Sequence, residues 1–272
     1  MAATPGLPAG YDLYHRRGVQ KALNEKTSPN PSLIVDGAFG AKSIAALQVY
    51  QSANNLVADG NYGPLTQALL EPFIASKYIL MANYQQAASQ LGVLLAAIQA
   101  NVEAESGGSG FFPNGTCKIR FERHQMYNML VQQKGQATAN GLVNRYPSVV
   151  NPVPGGYAAN PYDQLNLALT IDQTCAMLAT SWGLFQIMGF NFKEAGYATV
   201  QAYVADVKIS EGKQLTQYIN FIKTYRQGAL WTALKNCDWI TFATIYNGPA
   251  QVASYSKTMG GFFTSFTANP NG

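Results

Sequence analysis

The chain has 272 residues, of which 47% are hydrophobic and 12% are charged. This balance is typical of a globular protein with one large or two smaller domains. The formal net charge of +4 is modest, and no Lys/Arg block occurs. These features argue against specific nucleic-acid recognition and favour an anionic surface as partner.

The three cysteines, Cys117, Cys175 and Cys237, are odd in number and far apart. This spacing argues against a disulfide framework and against a zinc site, so we expect free thiols, no metal and no cofactor. The N-terminus lacks the pattern of a signal peptide, and the longest apolar run, around residues 91–98, is too short to cross a bilayer. The sequence therefore predicts a protein made in the cytoplasm, without stable membrane insertion.

The first part of the chain contains an internal repeat. After a Gly/Pro/Ala-rich tail at residues 1–10 and a helical pattern that starts at Tyr11, Asp36-Gly37-Ala38-Phe39-Gly40 recurs as Asp59-Gly60-Asn61-Tyr62-Gly63. Each copy predicts a tight Asp-Gly turn, an aromatic side chain on the core and a following helix. Two such units and the leading helix predict a small three-helix bundle over residues 11–75.

The order VQKALN, VDGAFGAKS, LQVYQ and ADGNYGPLT, over residues 16–73, closely resembles the small helical peptidoglycan-binding module of cell-wall hydrolases. The resemblance implies that residues 11–75 bind peptidoglycan, with Phe39 and Tyr62 as candidate ligand contacts. The alternative is a repeat that is purely structural. Pro72 is expected to end this module, and residues 76–86 are interpreted as a linker.

The next helical pattern leads to Glu105. Apolar residues at 91, 94, 98 and 102 share an arc that includes Glu105, whereas Glu103 is turned roughly 200° away. Gly107 and Gly108 then end the helix, so burial and the helix dipole should both raise the pKa of Glu105. A carboxylic acid that stays protonated near neutral pH is what general-acid cleavage of a glycosidic bond requires. The alternative is a Glu that caps or pairs at a helix end.

Beyond these glycines, residues 118–124 predict a short strand or the start of a helix. On a strand, Glu122 and His124 would face the same side, next to any cleft that the strand lines. The alternative is an ion-paired or hydrogen-bonded set. Residues 132–161 are rich in Gly, Pro and Asn and predict a long surface loop.

The remaining sequence favours helices. Residues 162–179 predict one central helix, in which Asp172 is either a catalytic carboxylate or the partner of an Arg or a backbone amide. A Gly-bounded apolar segment at residues 183–189 has one polar residue, Gln186, at its centre. No β alternation follows residue 124. The predicted fold class is mainly α, with the small three-helix bundle followed by a larger helical domain over residues 87–272.

Three segments occur in a distinctive order: Glu105-Ser106, then GLFQI at residues 183–187, then Tyr246-Asn247. This order resembles lytic transglycosylases and goose-type lysozymes, in which such segments line one sugar-binding cleft. The longer run ESGGSGFF…KIRFERH…SWGLFQIMGFNFKEAGY…FATIYNGP, within residues 87–260, is similar to the N-acetylmuramidase family of phage endolysins. The resemblance implies a lysozyme-like catalytic domain.

The resemblance also implies roles for individual residues. Glu105 would be the catalytic acid, and Ser106 and Tyr246 would orient its carboxyl group. Gln186 and Asn247 would contact substrate. Further candidates are Trp182 or Phe185 as a sugar-facing wall, His124 as a substrate contact and Glu122 as a catalytic carboxylate. The alternative for both aromatic residues is plain core, which is favoured for Phe185.

A second carboxylate is not evident from the sequence. Retaining and inverting glycosidases usually place one roughly 5–9 Å from the acid, and the choices are Glu122, Asp163 and Asp172. A lone acid would fit a lytic transglycosylase, or a hydrolase in which polar side chains hold the water.

The combined resemblance predicts a monomeric endolysin that hydrolyses the β-1,4 bond between N-acetylmuramic acid and N-acetylglucosamine in peptidoglycan. It would reach the wall after permeabilisation of the host membrane. One alternative is a lytic transglycosylase that gives anhydromuramyl products. Another is a non-catalytic wall-binding protein of the virion.

Overall fold

The computed structural model describes residues 5–106, 108–248 and 252–272, except for the side chain of Ser106. The N-terminal part is a bundle of three helices in which α1 contacts both α2 and α3. The three are α1 (Leu13–Lys26), α2 (Ala41–Ala53) and α3 (Pro64–Lys77).

The rest of the described chain is also mainly helical. Its helices are α4 (Met81–Leu91), α5 (Leu95–Ser106), α6 (Arg123–Lys134), α7 (Gln136–Arg145), α8 (Pro161–Ile171), α9 (Gln173–Leu178), α10 (Val200–Val207), α11 (Glu211–Thr224), α12 (Ala229–Lys235), α13 (Trp239–Asn247) and α14 (Val252–Ala268), with 3-10 turns at Gly189–Asn191 and Tyr225–Gly228. None of the helices in the described ranges is long and apolar enough to cross a membrane.

The two repeat turns of the bundle are held by buried glutamines. The Gln20 side chain donates to Asp36 and accepts from the backbone N–H of Gly37 at 2.7 Å. Gln51 makes the equivalent bond to Gly60 at 2.9 Å. Both glycines have positive φ, 81° and 72°, which explains why glycine follows aspartate in each copy.

The predicted linker is largely helical. Helix α3 continues past Pro72 to Lys77, because the proline removes only one backbone donor and burial of Ile74 beyond it stabilises the helix. Helix α4 follows after three residues, buries Tyr84 and packs against α5 and α11. Residues 76–86 therefore join the two parts as packed structure.

Two further predictions about secondary structure need correction. Residues 136–145 form α7, so the surface loop is shorter than the predicted range of 132–161. The helix predicted at 162–179 is broken at Asp172, whose side chain accepts from the backbone N–H of Cys175 at 2.8 Å and so caps α9. Asp172 also pairs with Lys134, with 2.6 Å between nitrogen and oxygen.

A small antiparallel sheet has the order β1 (Ile119–Phe121), β2 (Thr180–Trp182) and β3 (Ile187–Met188). Strands β2 and β3 follow residue 124, where the sequence shows no β alternation, because strands of two or three residues are too short to show it. The β2–β3 turn contains Gly183 and Gln186, both with positive φ. The sheet therefore places this turn beside the strand that precedes Glu122.

Helix α5 lies at the centre of the larger part of the molecule. It packs along α14 and also contacts α4 and α12. Its residues Ala97, Ile98 and Asn101 are fully buried. The packing holds the last turn of α5, which carries Glu105, in a fixed position relative to the sheet.

Candidate active site

Glu105 lies in the last turn of α5 and lines a cavity of about 250 Å³. The cavity brings together the end of α5, strand β1 and the β2–β3 turn. Besides Glu105, its lining residues are Ser109, Phe112, Lys118, Ile119, Arg120, Gly183, Leu184 and Gln186.

Burial raises the pKa of Glu105 to about 8. Its Oε1 atom is enclosed and has no hydrogen-bond partner within the described part of the chain. The hydrogen-bonding side chains of Tyr255 and Asn247 act in the opposite direction and lower this pKa. The carboxyl group is therefore protonated at neutral pH, beside a cavity that can admit a ligand.

Tyr255 in α14 is a site residue that the sequence analysis missed. Its hydroxyl interacts with both Glu105 and Asn247, and burial together with the charge of Glu105 raises its own pKa. A helical pattern could have identified it, because Tyr255 and the buried Met259 and Phe266 recur at helical spacing. An aromatic hydroxyl on the buried face of a helix needs a polar partner.

Tyr246 does not make the expected bond to Glu105. Its hydroxyl donates to the backbone carbonyl of Phe185 at 2.7 Å. Its ring stacks on Phe242, with 5.6 Å between centroids. Tyr246 therefore ties α13 to the β2–β3 turn, and Tyr255 provides the hydroxyl beside the carboxylate.

Gln186 lies in the cavity wall with Glu105, as the sequence predicted for a substrate contact. Its carbonyl oxygen accepts from the Ser181 hydroxyl at 2.8 Å, and its amide donates to the Gly183 carbonyl at 2.8 Å. These two bonds fix the side chain. Asn247, at the end of α13, is beside the carboxyl group of Glu105.

Of the two alternatives for Trp182 and Phe185, the structure matches the core and not the sugar-facing wall. Trp182 is 2% exposed, and its ring nitrogen donates to the Met177 carbonyl at 3.1 Å. Phe185 is 1% exposed and stacks on Tyr218. Both rings belong to the core, Trp182 from strand β2 and Phe185 from the β2–β3 turn. The aromatic side chain in the cavity wall is Phe112.

Glu122 and His124 form a separate cluster. A Glu122 oxygen lies 3.4 Å from a His124 ring nitrogen, and Glu122 also accepts from the Tyr157 hydroxyl at 3.0 Å. Arg120 contacts Glu122 at 3.4 Å and is the member of this cluster that reaches the cavity wall. Of the two alternatives for Glu122 and His124, the structure matches the ion-paired set, and neither residue lines the Glu105 cavity.

No second carboxylate lines the Glu105 cavity in the described part of the chain. Asp163 is in the first turn of α8, where it accepts from Asn160 at 2.9 Å. Asp172 caps α9. The side chain of Ser106, predicted to orient Glu105, lies outside the described residues.

In the N-terminal bundle, Tyr62 is 1% exposed and its hydroxyl donates to Glu71 at 2.8 Å. Its predicted ligand contact is therefore wrong, since the ring is inside the core. Phe39 is partly buried against the same core. A cavity of about 290 Å³ lies beside the first repeat turn, with Ile34, Asp36, Gly40 and Lys42 in its wall.

The described residues contain no group of three His, Cys, Asp or Glu side chains that could hold a metal ion. The Glu105 cavity offers one protonated carboxyl group and the amide of Gln186, and the amide of Asn247 hydrogen-bonds that carboxyl group.

Comparisons with known proteins agree with this arrangement. The model of a family described as N-acetylmuramidase matches residues 94–267, and that of a family described as "Putative peptidoglycan binding domain" matches residues 16–70. Among solved structures, the chain is similar to the Burkholderia AP3 phage endolysin, at 35% sequence identity and a TM-score of 0.65. The match covers 97% of this chain and 99% of the endolysin chain. No curated protein matches the chain.

The muramidase model spans more than half of the chain, and the similarity to the endolysin extends over nearly all of it. The predicted order of a peptidoglycan-binding domain followed by a larger helical muramidase domain is confirmed. The chain therefore belongs to the N-acetylmuramidase family, as a glycoside hydrolase acting on peptidoglycan that also carries an N-terminal peptidoglycan-binding domain.

Proposed function

We propose that this protein is a phage endolysin in which Glu105 is the general acid that cleaves the β-1,4 bond between N-acetylmuramic acid and N-acetylglucosamine. The observation that carries the proposal is a buried carboxyl group with a pKa of about 8 in the wall of an open cavity. The endolysin of similar architecture supports the phage context.

The proton of Glu105 would pass to the glycosidic oxygen as the bond to the sugar carbon breaks. Burial keeps that proton in place until substrate arrives, because the charged form is poorly solvated there. Once the proton has left, Tyr255 and Asn247 can stabilise the resulting carboxylate, since both hydrogen-bond it. Gln186, held by two bonds, would contact the sugar on the same side of the cavity.

The second half of the reaction distinguishes two candidates. In hydrolysis, water attacks the sugar and the Glu105 carboxylate takes up a proton. In the alternative, a lytic transglycosylase, a hydroxyl of muramic acid attacks and an anhydro sugar forms. The absence of a second carboxylate among the described residues of the cavity wall is the observation that keeps the alternative open.

The N-terminal bundle would hold the enzyme on its insoluble substrate. The cavity of about 290 Å³ beside its first repeat turn is the candidate binding place for a wall sugar or peptide. The net charge of +4 favours approach to an anionic wall. We infer that the protein acts as a monomer, is made in the infected host and reaches the wall when the membrane is permeabilised.

The decisive experiment is Glu105→Gln, assayed separately for lysis of outer-membrane-stripped cells and for pull-down on purified sacculi. Lysis should fall by about 100-fold or more, because the amide cannot donate the proton, while pull-down is unchanged. Asp163→Asn, a carboxylate change away from the cavity, is the matched control and should lyse normally. Comparable lysis by Glu105→Gln would refute the assignment.

The wild-type digest then separates the two reaction types. Mass spectrometry should show reducing muramic ends, whereas anhydromuramyl ends would identify the transglycosylase. A wild-type protein that leaves turbidity flat would point to the third possibility, a wall-binding virion protein without activity.

A further inference from the structure

A second cavity, also of about 250 Å³, lies at the junction between the N-terminal bundle and the muramidase part. We call it the junction cavity. Its wall combines residues of α1 and the loop at 33–35 with residues of the segment 109–118. The members used below are Lys21, Ile34, Ser109, Phe112, Pro113 and Lys118.

The junction cavity adjoins the Glu105 cavity. Ser109, Phe112 and Lys118 line both of them. A substrate whose sugar occupies the Glu105 cavity could therefore extend a substituent past Lys118 into the junction cavity. The bundle side of that space carries Ile34, which is 78% exposed.

Lys118 lines both cavities and has no counter-ion among the described residues. Three cations near the junction are paired at 2.8 Å: Arg17 with Glu103, Lys21 with Glu211 and Lys77 with Glu25. For Lys118, no carboxylate of the described residues lies within 4 Å. Burial and the charge of Lys21 lower the pKa of Lys118, and Glu211 acts against them.

This arrangement favours an incoming anion. A partly buried ammonium group loses solvation without gaining a protein partner, so a carboxylate from a ligand would stabilise it. Ile34, Phe112 and Pro113 give the same cavity apolar walls, which suit alkyl side chains. The ligand chemistry that fits is a short peptide with a free carboxylate.

We propose that the junction cavity is a subsite for the peptide attached to muramic acid, with Lys118 binding one of its carboxylates. The proposal rests on the proposed function, because it takes the sugar in the Glu105 cavity to be part of peptidoglycan. Muramic acid carries its peptide on a lactyl group of the sugar ring, so the peptide leaves the glycan from the sugar whose glycosidic bond is cut. The N-terminal bundle then contributes directly to substrate selection through Ile34, in addition to holding the wall.

The test compares kcat/KM on soluble glycan strands that carry peptides with kcat/KM on strands from which an amidase has removed them. The first value divided by the second is the peptide preference. In Lys118→Met the peptide preference should fall by about tenfold, the value expected for loss of one charge-assisted hydrogen bond. Lys118→Arg should keep most of it. Lys193→Met, which removes a lysine that lines neither cavity, should leave it unchanged.

The proposal would be overturned if Lys118→Met lost activity equally on strands with and without peptides. It would also be overturned if this variant lost activity on neither of them. If this variant does not fold, the wild type answers the same question on strands whose peptide carboxylates have been amidated. Their kcat/KM should then be about tenfold below that of the free-carboxylate strands, and equal values would overturn the proposal. A wild-type protein that cleaves neither glycan would instead refute the proposed function.

Discussion

The Lys21 ammonium group in α1 lies 2.8 and 2.9 Å from the two carboxylate oxygens of Glu211, whose side chain is 1% exposed. The same carboxylate accepts from the backbone N–H groups of Ile79 at 3.1 Å and Gly110 at 2.9 Å. Gly110 follows Glu105 in the loop that borders the Glu105 cavity. The peptidoglycan-binding bundle thus supplies the cation that neutralises Glu211, and Glu211 in turn binds the backbone of this loop at Gly110.

Removing that cation should destabilise the whole chain. Lys21→Met leaves Glu211 buried without its counter-ion, and breaking a buried pair in this way costs about 3–5 kcal/mol of unfolding free energy. Urea unfolding at neutral pH measures the loss. Lys257→Met, at an exposed position of α14, is the control and should change stability by less than about 0.5 kcal/mol.

The double variant Lys21→Met with Glu211→Gln should recover part of the loss, since no uncompensated charge then remains buried. A Lys21→Met protein as stable as the wild type would show that Glu211 does not depend on α1.

Tyr255 and Tyr246 give a matched pair of variants. Tyr255→Phe removes a hydroxyl that hydrogen-bonds Glu105 and lowers its pKa. We expect kcat to fall by about tenfold, because the carboxylate formed in the reaction loses a donor, and the alkaline limit of activity to move to higher pH.

Tyr246→Phe removes the bond to the Phe185 carbonyl and should lower the melting temperature without moving the alkaline limit. The pH–rate profiles of the two variants are the measurement. An unchanged profile in Tyr255→Phe, or a shifted one in Tyr246→Phe, would reverse the roles given to the two tyrosines.

Helical spacing was enough to predict that Glu105 lies on the apolar side of its helix, and its raised pKa follows from burial on that side. The partners of Glu105 were not predictable in this way. Tyr255 comes from a helix far along the chain, and only tertiary packing of α14 on α5 brings it to the carboxyl group. Tyr218 likewise comes from a distant helix, α11, and donates a hydrogen bond to Asn101 in the core.

The incorrect predictions have a common physical cause, which is that composition does not report burial. Trp182 and Tyr62 are aromatic residues in motifs that the resemblance associates with ligands, yet both are in the core. Residues 136–145 contain Gly141 and Asn144 and still form a helix, because Ala139 is buried against the rest of the protein. Tertiary contacts override the local preference in each case.

Glu122→Gln tests whether the reaction uses one carboxylate or two. Glu122 contacts Arg120, His124 and Tyr157 and is not in the wall of the Glu105 cavity. We expect kcat to stay within about threefold of the wild type and stability to fall by about 1 kcal/mol through loss of the ion pairs. Initial rates on soluble glycan strands and urea unfolding measure the two quantities. A loss of activity as large as that of Glu105→Gln would identify Glu122 as the second catalytic carboxylate.

The pKa of Glu105 links activity and stability to pH in a predictable direction. Burial raises it from the model-compound value of 4.5 to about 8, so the general acid is protonated below about pH 8 and the rate should fall above it. Between about pH 4.5 and pH 8 the folded state keeps this proton, whereas the unfolded chain has released it. Its contribution to stability is therefore fully present below about pH 4.5 and is progressively lost as the pH rises to about 8.

Glu105→Gln has no carboxyl group to titrate at this position, so its free energy of unfolding should not show this decrease with pH. Between about pH 5 and pH 8, wild-type stability should fall relative to the variant by an amount on the order of a few kcal/mol, as the shift in pKa requires. Urea unfolding of both proteins across this range is the measurement, and Asp163→Asn should follow the wild type. Parallel curves for the wild type and Glu105→Gln would mean that Glu105 titrates as an ordinary solvated carboxylate, which is incompatible with its role as the proton donor at neutral pH.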